Sequence, residues 1–341
     1  MNRRFSVSIS ASGLVFAALS LTLPVAAQSP SPAAKAARAS AKAWTPARTA
    51  DGRPDLTGIW SNATLTPLER PAELAGKEFL TAQEAADFEK QTIQRNNADR
   101  RDGGAEADIG RAYNEAWYDR GTKVIGDRRT SLIVDPPDGK IPALTPEAVK
   151  RLAAAREDNR IHAFDGPEYR PLTERCITRG LPMLPGPYNN NFQIMQSPGF
   201  VTILIEAEHD VRTVPVDGRP HLPQNVRMWL GDSRGHWEGD TLVVDTTNFS
   251  SKSNFRGSSE NLHLIERFTR TGPESMTYKV TVEDPTTFTK PWTADIPMSK
   301  TAGPIFEMAC HEGNYAMTGI LAGARAEEKK AAEEAAKKGT R

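Results

Sequence analysis

The sequence predicts a mainly β protein, α+β overall. Its centre is an antiparallel lipocalin-like barrel or sandwich, with an N-terminal helix/loop extension and a charged C-terminal helix. Three observations carry this expectation. From residue 199, the runs "VTILIEAEHDVRTVPVDG", "LVVDTTNF", "LHLIERFTR" and "MTYKVTVEDP" alternate apolar and polar residues. A side-chain period of two belongs to strands with one covered face. The links between the runs are short and polar, as in antiparallel meanders. Finally, the chain carries 25 Pro and 25 Gly, which suit turns and edges better than a helical bundle.

The elements follow in order. "MNRR" is a basic n-region, and "GLVFAALSLTLPVAA" is an apolar run too short to span a bilayer comfortably. Val25-Ala26-Ala27 supplies the small residues of a cleavage site, so residues 1–27 read as a signal peptide cut before Gln28. The expected location is periplasmic or secreted, with no membrane span after cleavage. Residues 28–43, "QSPSPAAKAARASAKA", read as a disordered leader.

Residues 44–198 read as a helix- and loop-rich region with the first strands. "LTGIW" enters a strand after the Asp51-Gly52 and Arg53-Pro54 turns. Thr81 and Glu84 form a capping box for a helix running to about Asn97. "TSLIV" is a short strand before a Pro-Pro-Asp-Gly turn. Thr145 and Pro146 then occupy the N-cap and N1 positions of a second helix. Residues 161–198 read as loop, 199–321 as the antiparallel β domain, and 322–341 as a charged tail.

Within the β domain, "RMWLGDSRGHWEGDTLVVDTTNF" (227–249) is the densest polar stretch. "GHWE" and "TLVVDTTN" read as strands joined by Gly239-Asp240, and upstream "GDSRG" joins "VRMWL" to the same ladder. Gly231, Asp232, Ser233, Gly239 and Asp240 read as turn residues. Val243, Asp245 and Thr247 share one face, opposite Leu242 and Val244. On the next strand His263 and Arg267 oppose Leu262, Leu264, Glu266 and Phe268. Parity fixes these sets but not their direction. A mixed face turned outward is an ordinary wet surface, whereas one turned inward lines a ligand cavity.

Composition bounds the function. Lys+Arg and Asp+Glu both number 43, so the net charge is zero. This excludes a chain-wide basic footprint for nucleic acid. The two cysteines, Cys176 and Cys310, are expected to form one disulfide in an oxidising compartment. The six histidines show no close metal-ligand spacing, and there is no nucleophile elbow, Walker loop or dinucleotide fingerprint. No metal and no cofactor is therefore expected from spacing, and a metal site assembled in three dimensions from His209, His263 and a carboxylate stays open.

Acid–base chemistry is the class left open, with His209, Asp245, His263 and Glu266 as candidates for proton transfer. Arg227 is a candidate to pair with an anionic group beside Trp229. Tyr188 and Asn190, in "PYNNNFQ", could donate to a ligand oxygen. The expected partner is a small organic ligand or substrate, turned over without a cofactor if the protein is an enzyme (a lyase, hydratase, isomerase or hydrolase). The other function class is a non-catalytic cell-envelope binding or scaffold protein, its charged rows paired across strands on an outer surface.

"DLTGIW", "RTSLIVDPPDG", "EAEHDVRTVPVDGRPH", "WLGDSRGHWEGDTLVVDTTNF" and "ACHEGNY" together resemble a widespread family of exported bacterial proteins described only as hypothetical. The resemblance covers about residues 44–325. It implies export and carries no activity to any residue. "GIW" at 58–60 is also similar to the Gly-x-Trp that opens the first strand of lipocalins, which implies an up-and-down barrel. The long helix-and-loop stretch between this motif and the strand block departs from simple eight-strand lipocalin topology.

Overall fold

The alternating runs form strands, and the strands join into one sheet. The computed structural model describes residues 44–110 and 114–339, so the expected signal peptide and leader lie outside the described residues. The strands are β1 (Gly58–Ser61), β2 (Ile133–Asp135), β3 (Asn191–Ser197), β4 (Phe200–Ile205) and β5 (Val211–Pro215). They continue as β6 (Asp232–Glu238), β7 (Thr241–Thr247), β8 (His263–Gly272), β9 (Ser275–Glu283) and β10 (Trp292–Thr301). Their order is β5-β4-β3-β1-β10-β9-β8-β7-β6, with β2 paired to β10, and every pairing is antiparallel. The sheet curls into a nearly closed barrel, since its two end strands, β5 and β6, lie side by side.

Gly235 on β6 makes this approach possible. A Cβ there would sit 2.8 Å from Val216 Cγ1 and 2.9 Å from Val214 Cγ1. Any larger residue would push the two edges apart.

The interior is filled. Trp60, Ile203, Leu242, Phe268, Tyr278 and Trp292 are all fully buried in one continuous core. Trp60 donates its indole N–H to the Leu56 carbonyl at 2.9 Å, and the Arg270 guanidinium lies 4.9 Å from its ring centroid. The face carrying Leu242, Val244, Leu264 and Phe268 is thus the inner one. The mixed face with Asp245, His263 and Arg267 looks outward.

Several expectations are corrected. The first strands of residues 44–198 join the same sheet, with β1 between β3 and β10. Strand structure resumes at Asn191, inside the stretch read as loop. "VRMWL" is not a strand: Met228 makes a single bridge, to Phe249. Asp232 and Ser233 are not turn residues but open β6, and both are buried. β10 is hidden in the sequence by Pro297, which ordinarily argues against a strand interior. The Asp295 N–H donates outward to the Leu132 carbonyl, on the flank where β2 pairs. Two residues on, Pro297 faces the same flank, between the residues paired with β2 and those paired with β1. No ladder bond is lost there.

Two helices begin where their caps predict. α1 (Ala82–Asn96) has the full Thr81/Glu84 capping box. α2 is Gly104–Gly110, and α3 (Pro146–His162) is capped by the Thr145 hydroxyl, which accepts from the Ala148 N–H. α4 (Tyr315–Gly339) starts before the expected charged tail. No described helix is long and apolar enough to cross a membrane. The Cys176–Cys310 disulfide is formed, joining the segment after α3 to the segment before α4.

Candidate functional site

Three polar arrangements stand out, and the sequence candidates are divided among them. The first is a row of alternating carboxylates and imidazoles on the outer face of β6–β9. Glu283 Oε2 lies 3.0 Å from His263 Nδ1, and His263 Nε2 lies 2.8 Å from Asp245 Oδ2. Asp245 Oδ1 lies 2.9 Å from His221 Nε2, and His221 Nδ1 lies 2.8 Å from Asp232 Oδ2. Arg234 closes the row on Asp232 at 2.7 Å. Strand register supplies most of this. His263 is the direct cross-strand partner of Glu283, and Asp245 that of Arg234. His221 comes from the loop between β5 and β6 and pins that loop to the barrel, with help from the Leu222 N–H on Asp232 at 2.9 Å.

Carboxylates accept hydrogen bonds but do not donate them. Both nitrogens of His263 face carboxylates, so its ring is held as the doubly protonated imidazolium. The Asp245 hydrogen bond is the main cause raising the His263 pKa, with further support from the charges of Asp245 and Glu283, against the opposing effect of burial. Burial works against the Asp245 carboxylate, but the bonds and charges of His263 and His221 outweigh it and lower its pKa.

The signs define a window. The raised His263 pKa stabilises the fold below the unfolded value of about 6.5, and this is lost as pH rises through the folded value. The lowered Asp245 pKa stabilises above about 3.9 and is lost as pH falls through the folded value. The row is therefore expected to stabilise most between these limits. Urea midpoints should decline from pH 6.5 toward pH 9, and His263→Gln should show a smaller decline. Identical pH profiles for the two proteins would remove the row from the stability balance.

The second arrangement is sealed inside the barrel. Arg212 on β5 and Glu266 on β8 form a two-pronged ion pair at 2.9 and 2.5 Å, with side-chain exposures of 2% and 0%. Ser233 and Thr246 accept from the Arg212 guanidinium at 3.1 and 3.2 Å, and the Tyr278 hydroxyl donates to Glu266 at 2.8 Å. This explains the polar start of β6: Ser233 faces inward to serve Arg212. Burial disfavours the Arg212 charge, but Glu266 more than offsets this and raises the Arg212 pKa. Burial also pushes the Tyr278 phenol well above its usual value, and the Glu266 charge adds to the shift. A charge pair of this kind persists in a core when its polar atoms are largely engaged; here only Arg212 Nε, of the atoms of the pair, has no hydrogen-bond partner.

The third arrangement is a cleft of about 980 Å³ beside the barrel. One wall comes from the C-terminal turns of α3 and the segment 163–181, and the other from residues 249–255. The buried side chains of Leu181, Phe249 and Leu262 also line it. Tyr169, Trp229 and Phe255 add aromatic surface, and Arg175 and Lys252 add positive charge. Neither cationic head group has a hydrogen-bond or ion-pair partner among the described residues. The first wall is fixed at several points. Thr145 N–H donates to the Thr287 carbonyl at 3.0 Å, which seats α3. Thr178 donates to Asp210 at 2.6 Å, Arg170 grips Glu174 at 2.8 and 3.1 Å, and the disulfide holds Cys176.

Asp245 and His263 meet in the outer row. Glu266 belongs to the sealed pair, and His209 lies elsewhere, exposed, its Nε2 accepting from the Met308 N–H at 2.7 Å. Trp229 lines the cleft. Arg227 instead ties two loops together through the Phe249 and Glu260 carbonyls, at 3.2 and 2.8 Å. Asn190 is buried and braces Asp119 at 2.8 Å. The Tyr188 ring lies 6.2 Å from that of Tyr118 and under the Arg179 guanidinium.

His221 and Asp232 complete the row, but neither was among the sequence candidates. One sits in a Pro-rich loop with no periodicity, and the other resembled a turn residue. The cleft residues Arg175 and Lys252 carry no pattern at all in the sequence. No protein-family model, curated protein or solved structure matches the chain.

Proposed function

We propose that this is an exported binding protein whose cleft takes up a small organic anion with a flat apolar body. The observation that carries this reading is the pairing, in one cleft, of aromatic walls with two cationic head groups that have no partner within the described residues. Ligand sites of this size, roughly 300–1,000 Å³, combine apolar walls with a few polar groups that fix orientation. A flat ring gains from Trp229 and Phe255 by stacking, and a carboxylate, sulfonate or phosphate gains from Arg175 and Lys252. The disulfide agrees with a periplasmic or extracellular location, and the basic-then-apolar opening of the sequence supports export.

Turnover of the bound molecule has less support. Both ring nitrogens of His221 and of His263 are engaged by carboxylates of the protein, so neither ring turns a free nitrogen toward a substrate. Glu266 is fully buried and already held by Arg212 and Tyr278. The scaffold alternative also gains less, because the outer row satisfies itself instead of presenting open partners.

An aromatic sulfonate dye serves as the probe. It is expected to bind the mature protein with a fluorescence gain. Trp229→Ala should weaken binding about tenfold, and Arg175→Ala or Lys252→Ala about three- to tenfold, equivalent to roughly 0.7–1.4 kcal/mol. Unchanged affinity in all three variants would mean that the cleft is not the site.

A further inference from the structure

The surroundings of the disulfide are not those of an inert staple. Inert cysteines sit in apolar surroundings and reactive ones in partly exposed, polar ones; a departing thiolate is helped further by a neighbouring proton donor. Here a Glu208 carboxylate oxygen lies within 4.8 Å of both Cys176 Sγ and Cys310 Sγ. Glu208 Oε2 is shielded from solvent and has no hydrogen-bond partner. The Asn314 side-chain amide donates to Cys176 Sγ at 3.3 Å. The two sulfurs also differ in access: Cys176 is 4% exposed, whereas Cys310 is partly exposed. Cys176, Glu208 and His209 all hold left-handed backbone angles, φ 54°, 57° and 54°. Such conformations are disfavoured for these residue types and tend to collect at functional positions.

We propose that the Cys176–Cys310 bridge is a thiol–disulfide exchange site. An external dithiol attacks Cys310, and Glu208 donates the proton to the departing Cys176 sulfur. The accessible sulfur of Cys310 takes the incoming thiolate. The S–S bond breaks, and its electron pair leaves on Cys176 Sγ, where the Asn314 N–H stabilises the developing charge. The Glu208 carboxylic acid then protonates that sulfur and becomes a carboxylate. The second thiolate of the same dithiol attacks the mixed disulfide and releases Cys310 as a thiolate, which takes a proton from water. Two electrons pass to the bridge, and the dithiol leaves as a disulfide.

Glu208 suits the role of acid. Burial is the largest influence on it and raises its pKa; the nearby Asp210 charge adds to this, and Arg179, His311 and His209 oppose it. More of its protonated form is therefore present near neutral pH than for an exposed Glu.

The test uses the mature full-length protein and dithiothreitol, without denaturant. Samples are quenched by alkylation and read by mass spectrometry from pH 5 to 8. Rates are divided by the thiolate concentration. The wild-type rate per thiolate is expected to fall as pH rises and Glu208 loses its proton. Glu208→Gln should react about tenfold more slowly, a conservative figure for loss of a general acid, with a flat profile. Asn314→Ala should be several-fold slower, and it serves as the second probe should Glu208→Gln not fold. The trapped mixed disulfide should sit on Cys310. The proposal is overturned if the bridge opens only at the rate of global unfolding. It is also overturned if the adduct forms on Cys176, or if both folded variants match wild type.

Discussion

Removing one member of the Arg212–Glu266 pair is expected to destabilise the protein by about 3–5 kcal/mol, the range for leaving a buried charge without its counter-ion. Glu266→Leu strands the buried Arg212 guanidinium inside the barrel, with only Ser233 and Thr246 as partners. Arg212→Met leaves the Glu266 carboxylate with Tyr278 as its principal donor. The double variant Arg212→Met/Glu266→Leu should recover most of the loss. Replacing both ions with apolar groups removes the desolvation cost along with the attraction, and such exchanges are often neutral or stabilising. Urea unfolding of the two single variants and the double variant forms a thermodynamic cycle. Additive losses in the double variant would show that the pair does not act as a unit. Tyr278→Phe should cost less, on the order of 1–3 kcal/mol, because it removes a hydrogen bond to a charged acceptor and the weaker one that the hydroxyl accepts from the Met183 N–H at 3.3 Å.

Replacing both cysteines by serine is expected to lower stability by about 3–5 kcal/mol through the loop-closure term alone. The bridge joins residues 134 apart in sequence, so in the unfolded chain it removes the freedom of a long loop. The loss should appear as a lower urea midpoint with a small change in slope, because the unlinked unfolded state exposes more surface. It should also be local in its first effects. The segment around residues 302–314 is held to the 171–179 wall by the bridge and by the Asn314 amide on the Glu174 carbonyl at 2.8 Å. Hydrogen exchange should therefore quicken there before it does in β7–β9. A variant with an unchanged midpoint and unchanged exchange would show that packing alone holds this corner.

The sequence alone was informative about β4 to β9. A period of two is visible without any partner strand, so these strands could be located, and the faces of β7 and β8 assigned residue by residue. Parity alone put Glu266 with Leu264 and Phe268, opposite His263. The capping box at Thr81 and the Thr145-Pro146 start were equally legible, because a cap is a contact between residues three apart. The disulfide could be inferred from compartment and number.

β10 was not legible, since Pro297 breaks the usual strand signature and only the placement of its neighbours makes it harmless. Nor was the role of Asp232 and Ser233, whose residue types serve turns as readily as a buried strand edge. His221 had no periodicity to mark it, and its two carboxylate partners come from different strands.

What the sequence determined by itself, then, was an antiparallel β protein with most of its central strands, the parity of two of them, two helix starts and its cysteine pair. Only the tertiary structure decided that the Leu face turns inward and fills the barrel, that Arg212 meets Glu266 there, and that a cleft opens beside the barrel. The physical reason is range. Periodicity and capping are set by residues a few positions apart. Barrel closure, ion pairing across the core and loop docking depend on contacts between residues tens to hundreds of positions apart, which no local pattern encodes.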